Sequence, residues 1–238
     1  LPAGDVDHGN FNHLSGRDHL SSMGIGTGCT EAGKLKEFGV FSGANLLEIG
    51  CGDGRITAQL AEDATCLVAL DPSGQDLLQA ARRVDTALFC QASGVQMPFA
   101  DHHFDTVLFT LSLHHQDSAR ALQEAGRVVA PGGRILVMEP AVDGEAQQLF
   151  HCFKDETADL EAAMAAIEAS SLRIVQATQF EADWPFENKH DFSRYMFAYH
   201  DQAWNSDMEA NLFRQLGPKA ADCPLVLKDK LMLLCLTP

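Results

Sequence analysis

The sequence predicts an α/β protein with a doubly wound, mostly parallel β-sheet, and two observations support this. From about residue 46, short apolar runs alternate with helical patterns, which is typical of parallel strands joined by crossover helices. The runs are rich in Val, Ile, Leu and Phe, as expected of strands that are buried on both faces. With 238 residues, of which 46% are hydrophobic and 21% charged, the chain is long enough to bury such a core.

The first part of this alternation predicts strands and helices in turn. The strands are Asn45–Ile49, Cys66–Leu70, Ala87–Cys90, Thr106–Thr110 and Arg134–Glu139, and the helices are Arg55–Glu62, Gln75–Val84 and Ser118–Val128. Ser73, with Asp76 three residues later, resembles a capping box at the start of the second helix. Pro131-Gly132-Gly133 interrupts the chain before the fifth strand.

The rest of the chain is less regular. A long helix is predicted over Glu145–Ala169, and two further strands over Leu172–Phe180 and Lys230–Leu236. The roughly fifty residues between these strands are too many for a plain loop. They are therefore expected to contain helices, at Asp191–Ala198 and Asp207–Leu216. Residues 1–30 are rich in His, Gly, Asn and Ser, and helical character appears only near Glu31–Phe38.

The charge balance disfavours two classes of partner. The 17 Lys and Arg residues against 33 Asp and Glu residues give a formal net charge of −16, and no basic stripe is present. Nucleic-acid binding and binding to an anionic membrane both rely on such basic surfaces. A small-molecule partner is therefore favoured over nucleic acid or membrane.

The cysteines and the first residues predict a cytoplasmic protein without a metal. The 7 cysteines are scattered, odd in number and never spaced as C-x-x-C, which argues against a disulfide framework and a structural zinc site. Leu1–Asp5 lacks the basic and apolar segments of a signal peptide. No apolar run approaches the length of a membrane span. His8, His13 and His19 are not spaced as metal ligands, so that no metal is predicted.

A glycine-rich turn follows the first predicted strand, in the pattern E-x-G-x-G-x-G that begins at Glu48. Glycine allows the backbone to approach a ligand closely and to adopt conformations that a Cβ disfavours. In such sheets a nucleotide-type cofactor binds at the carboxyl end of the first strand. Arg55 stands where the dinucleotide pattern G-x-G-x-x-G has its third glycine, which disfavours a nicotinamide cofactor. No Gly-Lys-Ser/Thr follows, so that the turn is not a P-loop.

Together with three later segments, this turn resembles the class I S-adenosylmethionine-dependent methyltransferases of the small-molecule, methyltransferase-11-like type. The segments are Val68–Ser73, Met97–Phe99 with Phe104–Val107, and Arg127–Leu136, which includes the turn Pro131-Gly132-Gly133. The resemblance covers roughly residues 45–140, in the family's order and at its spacing. It implies a Rossmann-like seven-stranded sheet, mostly parallel with an antiparallel last strand, and an inserted helical segment that caps the substrate.

On this basis the expected domains are an N-terminal lid or helical segment at 1–40 and an S-adenosylmethionine-binding core at 41–180. An insertion at 181–229 would form the cap of the acceptor pocket, and 230–238 would complete the core as its last strand.

The resemblance also implies the cofactor and its site. The cofactor is S-adenosylmethionine, and its expected contacts are Glu48, Gly50, Cys51, Gly52, Gly54, Asp71, Pro72, Ser93, Gly94 and Thr110. In the family, the acidic residue at the end of the second strand, here Asp71, holds the ribose hydroxyls. A carboxylate suits a vicinal diol because it can accept two charge-assisted hydrogen bonds. Ser93 stands where the family often has an Asp that contacts the adenine amino group.

Candidate acceptor residues lie in two places. His114 and His115 follow the fourth strand, where this fold faces the methyl donor, and either could act as a general base. Tyr195 and Tyr199 are four residues apart and share a face on a helix. They belong to an aromatic stretch that forms either a pocket wall or a small satellite core: Trp184, Phe186, Phe192, Tyr195, Phe197 and Tyr199. The candidate catalytic residues are His114, His115 and Tyr195, and Tyr199 joins them as a candidate for substrate binding.

The predicted function is methyl transfer from S-adenosylmethionine to a small molecule through an O, N, S or C atom. Thr110-Leu111-Ser112-Leu113 occupies the place of the N/D-P-P-Y/F signature of amino methylation on adenine or glutamine, which supports a small-molecule acceptor. Two alternatives remain open. The chain is a regulatory or catalytically idle partner that binds S-adenosylmethionine, or it is an NAD(P)-dependent reductase. The acceptor and the oligomeric state do not follow from the sequence.

Overall fold

The computed structural model describes residues 31–238. The predictions for residues 1–30, including those for His8, His13, His19 and most of the N-terminal segment, lie outside the described residues. The described chain falls into two compact units, a larger one of residues 31–184 and 227–238 and a smaller one of residues 185–226. No helix between residues 31 and 238 is both long and apolar enough to cross a membrane.

The helices and strands follow one another in the predicted order, except that two helices replace the one predicted over Glu145–Ala169. They are α1 (Glu31–Phe38), β1 (Asn45–Ile49), α2 (Arg55–Leu60), β2 (Cys66–Asp71), α3 (Gly74–Arg83), β3 (Leu88–Gln91), β4 (Phe104–Thr110), α4 (Ser118–Val128), β5 (Val129–Pro140), α5 (Glu145–Phe150), α6 (Thr157–Ala169), β6 (Arg173–Phe186), α7 (Lys189–Tyr199), α8 (Ser206–Leu216) and β7 (Leu225–Thr237). Short 3-10 turns lie at Leu113–His115 and Gly217–Ala221. Ser73 caps α3 by accepting a hydrogen bond from the Asp76 N–H at 3.2 Å, as predicted.

The seven strands form one sheet in the order β3-β2-β1-β4-β5-β7-β6. Strands β1 to β5 pair in parallel, and β7 runs antiparallel to β5, with Leu136 opposite Cys235. The predicted fold class is confirmed. In this arrangement the chain segments that leave β1, β2 and β4 emerge at the same edge of the sheet, which is where such folds bind ligands.

The central strands β1 and β4 are buried on both faces, which explains why their apolar runs lack polar alternation. On one face Val107, Phe109 and Ile135 pack in a cluster that includes residues of α4 and α6. On the other face Leu108 and Leu136 pack in a cluster that includes residues of α1 and α2. Helices on both faces are what a doubly wound sheet requires.

The prediction of one helix over Glu145–Ala169 is wrong, because α5 ends at Phe150 and α6 begins at Thr157. The Asp155 carboxylate accepts a hydrogen bond from the Thr157 N–H at 3.0 Å, and such local bonds compete with helix continuation. Strands β5, β6 and β7 are also longer than predicted, since β6 continues to Phe186 and β7 begins at Leu225.

The smaller unit contains α7 and α8, near the helices predicted at Asp191–Ala198 and Asp207–Leu216. Within it the Phe186 ring lies 5.0 Å from that of Phe192 and 5.5 Å from that of Tyr195. The structure divides the predicted aromatic set, because Trp184 belongs to the larger unit and the other five residues belong to the smaller one.

A buried acid in β7 makes the stability of the larger unit depend on pH. Asp229 is 3% exposed, and its burial, together with the negative charge of Glu31, raises its pKa to about 7 against the opposing effect of Arg55. An unfolded Asp loses its proton near pH 3.9. Between these two values the folded state binds more protons than the unfolded state. This contribution to stability therefore falls as the pH rises from about 4 to 7.

We expect Asp229→Asn to increase the free energy of unfolding relative to wild type by about 2 kcal/mol or more at pH 8, because the amide carries no charge to bury. Near pH 4 the two proteins should differ much less. Denaturant unfolding at both pH values measures this, with the exposed Asp85→Asn as control. An equal increase in the free energy of unfolding at both pH values would contradict the raised pKa of Asp229.

Candidate active site

The turn between β1 and α2 depends on its glycines. Gly50, Gly52 and Gly54 have φ of 73°, 53° and 80°, in the left-handed region that side chains disfavour. A Cβ at Gly50 would lie 2.5 Å from the Cβ of Ser112, and one at Gly54 would lie 2.9 Å from the Cβ of Ala80. The glycines thus provide both the backbone conformation and the close packing of the turn against its neighbours.

The turn is supported by the fully buried Glu48 at the end of β1. The Thr57 hydroxyl of α2 and the Thr110 hydroxyl of β4 donate hydrogen bonds to its two carboxylate oxygens, at 2.6 and 2.7 Å. Burial raises the pKa of Glu48, and these two hydrogen bonds oppose that effect. Glu48 and Thr110 therefore join β1, α2 and β4 beneath the turn, and their predicted contact with the cofactor stays a prediction.

The carboxylate of Asp71, at the end of β2, faces the same turn. One oxygen accepts a hydrogen bond from the Gly52 N–H at 2.9 Å, and the other accepts one from the Ser73 N–H at 2.8 Å. A carboxylate has about four acceptor positions. The two hydrogen bonds described use two of these positions and leave two for the hydroxyls of a diol. The residues present therefore fit the ribose of S-adenosylmethionine.

The other predicted cofactor residues adjoin these elements. A Cβ at Gly94 would lie 2.7 Å from Ile49 Cγ2, which places the loop of Ser93 and Gly94 against the end of β1. Burial raises the pKa of the Cys51 thiol, which stays protonated. The Pro72 carbonyl accepts a hydrogen bond from the Gln91 amide at 3.0 Å. The structure thus brings together the ends of β1 and β2 and the loop after β3.

The two histidines form a 3-10 turn after β4, with ring centroids 3.8 Å apart. His114 is buried and its Nδ1 donates a hydrogen bond to Glu139 at the end of β5. The other oxygen of Glu139 accepts the Leu113 N–H at 2.7 Å. The side chain of His115 is 42% exposed, so that this ring is open to a ligand.

The two histidines are in different protonation states. Burial lowers the pKa of His114, but the hydrogen bond to Glu139 and the nearby charge of Glu156 outweigh this and raise it to about 9. Burial alone would raise the pKa of Glu156, but the nearby His114 and the hydrogen bond from Lys154 lower it to about 2. Burial and the neighbouring His114 charge lower the pKa of His115. At neutral pH, His114 is therefore charged and His115 is neutral.

Sequence reasoning missed Glu139 and Glu156. Glu139 ends the fifth predicted strand, and an acid at the ligand-binding edge of a parallel sheet was a usable signal. Glu156 gave no signal, because it falls inside the helix predicted over Glu145–Ala169. The break between α5 and α6 allows its buried side chain to reach His114.

Tyr195 and Tyr199 lie on α7, in the smaller unit. Their rings are 5.8 Å apart with 24° between their planes, which confirms that they share a helix face. Their role in acceptor binding stays a prediction.

Comparison with known proteins identifies the domain that contains the glycine turn and Asp71. Residues 47–137 match the family model for a methyltransferase domain. Demethylmenaquinone methyltransferase of Corynebacterium urealyticum is 36% identical over 108 residues, which cover 44% of this chain and 46% of that protein. The chain spans less than half the length of the curated relatives that it matches first.

Solved structures show the same fold. A protein of Bacillus halodurans classed as a methyltransferase superposes with a TM-score of 0.64 at 17% identity, over 87% of this chain and 97% of that one. A SAM-dependent methyltransferase of Geobacter sulfurreducens was solved in complex with S-adenosyl-L-homocysteine. It superposes with a TM-score of 0.53 at 18% identity, over 87% of this chain and 88% of that one.

Residues 47–137 therefore form a methyltransferase domain of the class I S-adenosylmethionine-dependent type. The family and the cofactor that the motifs implied are thereby confirmed.

Gly50 can be tested against Gly43, which has the same backbone conformation with φ of 74° but nothing within 4 Å of the position that a Cβ would occupy. We expect Gly43→Ala to destabilise the protein by about 1 kcal/mol, from the left-handed conformation alone. Gly50→Ala adds a clash with Ser112 and should cost about 1–3 kcal/mol more. Denaturant unfolding of both variants measures the difference. Equal decreases in the free energy of unfolding would exclude a clash between the new Cβ and Ser112.

We expect Asp71→Asn to weaken S-adenosylmethionine binding by about 10- to 100-fold, because the ribose hydroxyls lose a charged acceptor. Calorimetric titration measures the Kd, with Asp85→Asn as a charge-matched control and a melting curve to confirm folding. An unchanged Kd in Asp71→Asn would remove this carboxylate from the cofactor site.

Proposed function

We propose that the protein is an enzyme that transfers a methyl group from S-adenosylmethionine to a small molecule, and that the acceptor atom is bound and activated at His114 and His115. One observation carries this proposal. The sheet edge that holds the glycine turn and Asp71 also holds, after β4, a histidine pair in which His114 is buried against Glu139 and His115 is half-exposed.

The cofactor half has a defined task for each group. When bound, S-adenosylmethionine supplies an electrophilic methyl group, and its sulfur leaves as a neutral thioether. The Asp71 carboxylate accepts hydrogen bonds from the ribose hydroxyls. The glycine turn at residues 50–54 allows the backbone to lie close to the ligand. Because the reaction disperses charge, alignment and exclusion of water contribute more than strong acid–base chemistry.

The acceptor half depends on the histidine pair. The half-exposed His115 is neutral, so that one of its ring nitrogens has a lone pair available at the proposed acceptor position. His114 is held by Glu139 and cannot turn away from its place beside His115. We also propose that Tyr195 and Tyr199 of the smaller unit, whose rings are nearly parallel, take part in acceptor binding.

Two features support a small molecule as acceptor. The formal charge of −16 opposes binding to nucleic acid. The segment Thr110–Leu113 also lacks the signature of amino methylation on adenine or glutamine. The relative named demethylmenaquinone methyltransferase adds quinone-type compounds to the acceptors that should be tested.

The test is incubation with S-adenosylmethionine carrying a deuterated methyl group and a fractionated extract of small metabolites. Mass spectrometry then detects labelled products and S-adenosylhomocysteine. We expect one labelled product class. Tight cofactor binding without a labelled product in any fraction would instead favour the idle binding partner.

On the acceptor found in this way, His115→Ala should lower kcat by about 100-fold or more, while the Kd for S-adenosylmethionine changes little. The exposed His103→Ala, at the opposite end of β4, is the matched control. A wild-type kcat in His115→Ala would contradict the placement of the acceptor.

A further inference from the structure

A cluster beside the proposed acceptor position contains a gap between three polar side chains. His114 Nε2 lies 3.7 Å from one oxygen of Glu156, and His115 Nδ1 lies 4.0 Å from the other. One ligand atom from each of these residues lies within 4.8 Å of the others. These separations exceed hydrogen-bond length, and they suit three atoms arranged around a common partner.

The donor set is that of a transition metal. Two imidazoles and one carboxylate suit zinc, iron(II), cobalt(II) or manganese(II). At metal–ligand distances of about 2.1 Å, ligand atoms lie roughly 3–4 Å apart. The 3.7 Å separation of His114 Nε2 from Glu156 fits this, and the wider separations, all within 4.8 Å, have to shorten by about 1 Å. Three protein ligands leave positions open for a water or a substrate, as in catalytic metal sites.

The surroundings of His114 fit the same role. A histidine that binds a metal usually donates its other ring N–H to a carboxylate, which fixes the ring and its tautomer. Glu139 does this here, because it accepts the hydrogen bond from His114 Nδ1 and leaves Nε2 directed toward Glu156. Glu139 is itself held by the Leu113 N–H.

The charges also require positive compensation. Two buried carboxylates, Glu139 and Glu156, meet at this cluster. Without a metal they are neutralised by the proton on His114 and by the Lys154 ammonium, which lies 3.1 Å from Glu156. The side chain of Lys154 is 52% exposed and can turn toward solvent. A divalent ion can therefore replace the proton on His114 and the Lys154 ammonium.

We propose that His114, His115 and Glu156 bind a divalent transition-metal ion, that Glu139 orients His114, and that the open position of the ion takes a hydroxyl oxygen of the acceptor. The last part rests on the proposed function and narrows the acceptor to an oxygen compound. The ion makes the bound hydroxyl more acidic, and its proton leaves to solvent. The oxygen lone pair then forms the bond to the methyl carbon, and the electrons of the carbon–sulfur bond stay on sulfur.

The test is titration of chelator-treated protein with Co²⁺, followed by calorimetry and by visible absorption, which reports nitrogen and oxygen ligation directly. We expect one equivalent to bind at this cluster. His115→Ala and Glu156→Gln should each weaken that binding by at least about tenfold and alter the spectrum, whereas His103→Ala should leave both unchanged. Neither variant removes the buried His114, and thermal melting confirms that they fold.

Failure of this proposal is distinguishable from failure of the proposed function. S-adenosylmethionine is titrated into the same chelated samples, and turnover is measured with and without added Co²⁺, Zn²⁺ or Mn²⁺. No Co²⁺ binding, or binding that persists in His115→Ala and Glu156→Gln, would overturn the metal site. Loss of turnover on chelation and its recovery with metal support the catalytic part, and full turnover in metal-free protein overturns that part.

Discussion

The structure depends on one buried carboxylate. Glu48 lies beneath the cofactor turn, and its two oxygens accept hydroxyl hydrogen bonds from α2 and β4. A buried carboxylate without such partners would be costly, so that the bonds fix the separation of the two elements on either side of β1. The left-handed turn between them can then hold its shape, and its Gly52 N–H can meet Asp71 at the end of β2.

This constraint fixes the position of the glycine turn, whereas the histidine pair is held in place by different forces. At the turn, the positions are set by backbone conformation and by close packing against Ser112 and Ala80. At the histidine pair, they are set by buried charge, because His114 is held between two carboxylates. Buried charges are stable only when they are paired, and Glu139 and Glu156 meet His114 at the edge of the sheet that also carries the glycine turn and Asp71.

The same electrostatics distinguishes two adjacent and chemically identical side chains. His114 is buried and holds a proton, whereas His115 is half-exposed and neutral. Glu139 alone would stabilise the charge on His114. Glu156 is a second carboxylate, and it lies near both histidine rings. That arrangement is the basis of the cation site and of the acceptor position that we propose.

The sequence by itself determined the parts that depend on local physics. Unbroken apolar runs predicted strands buried on both faces, Ser73 predicted the cap of α3, and the spacing of Gly50, Gly52 and Gly54 predicted the cofactor turn, because each signal arises within a few residues. Tertiary structure alone decided the break between α5 and α6 and the meeting of His114, Glu139 and Glu156. It also divided the aromatic stretch between the two units. These features depend on long-range contacts, since the protonation and partners of a buried charge follow from the residues that the fold places around it.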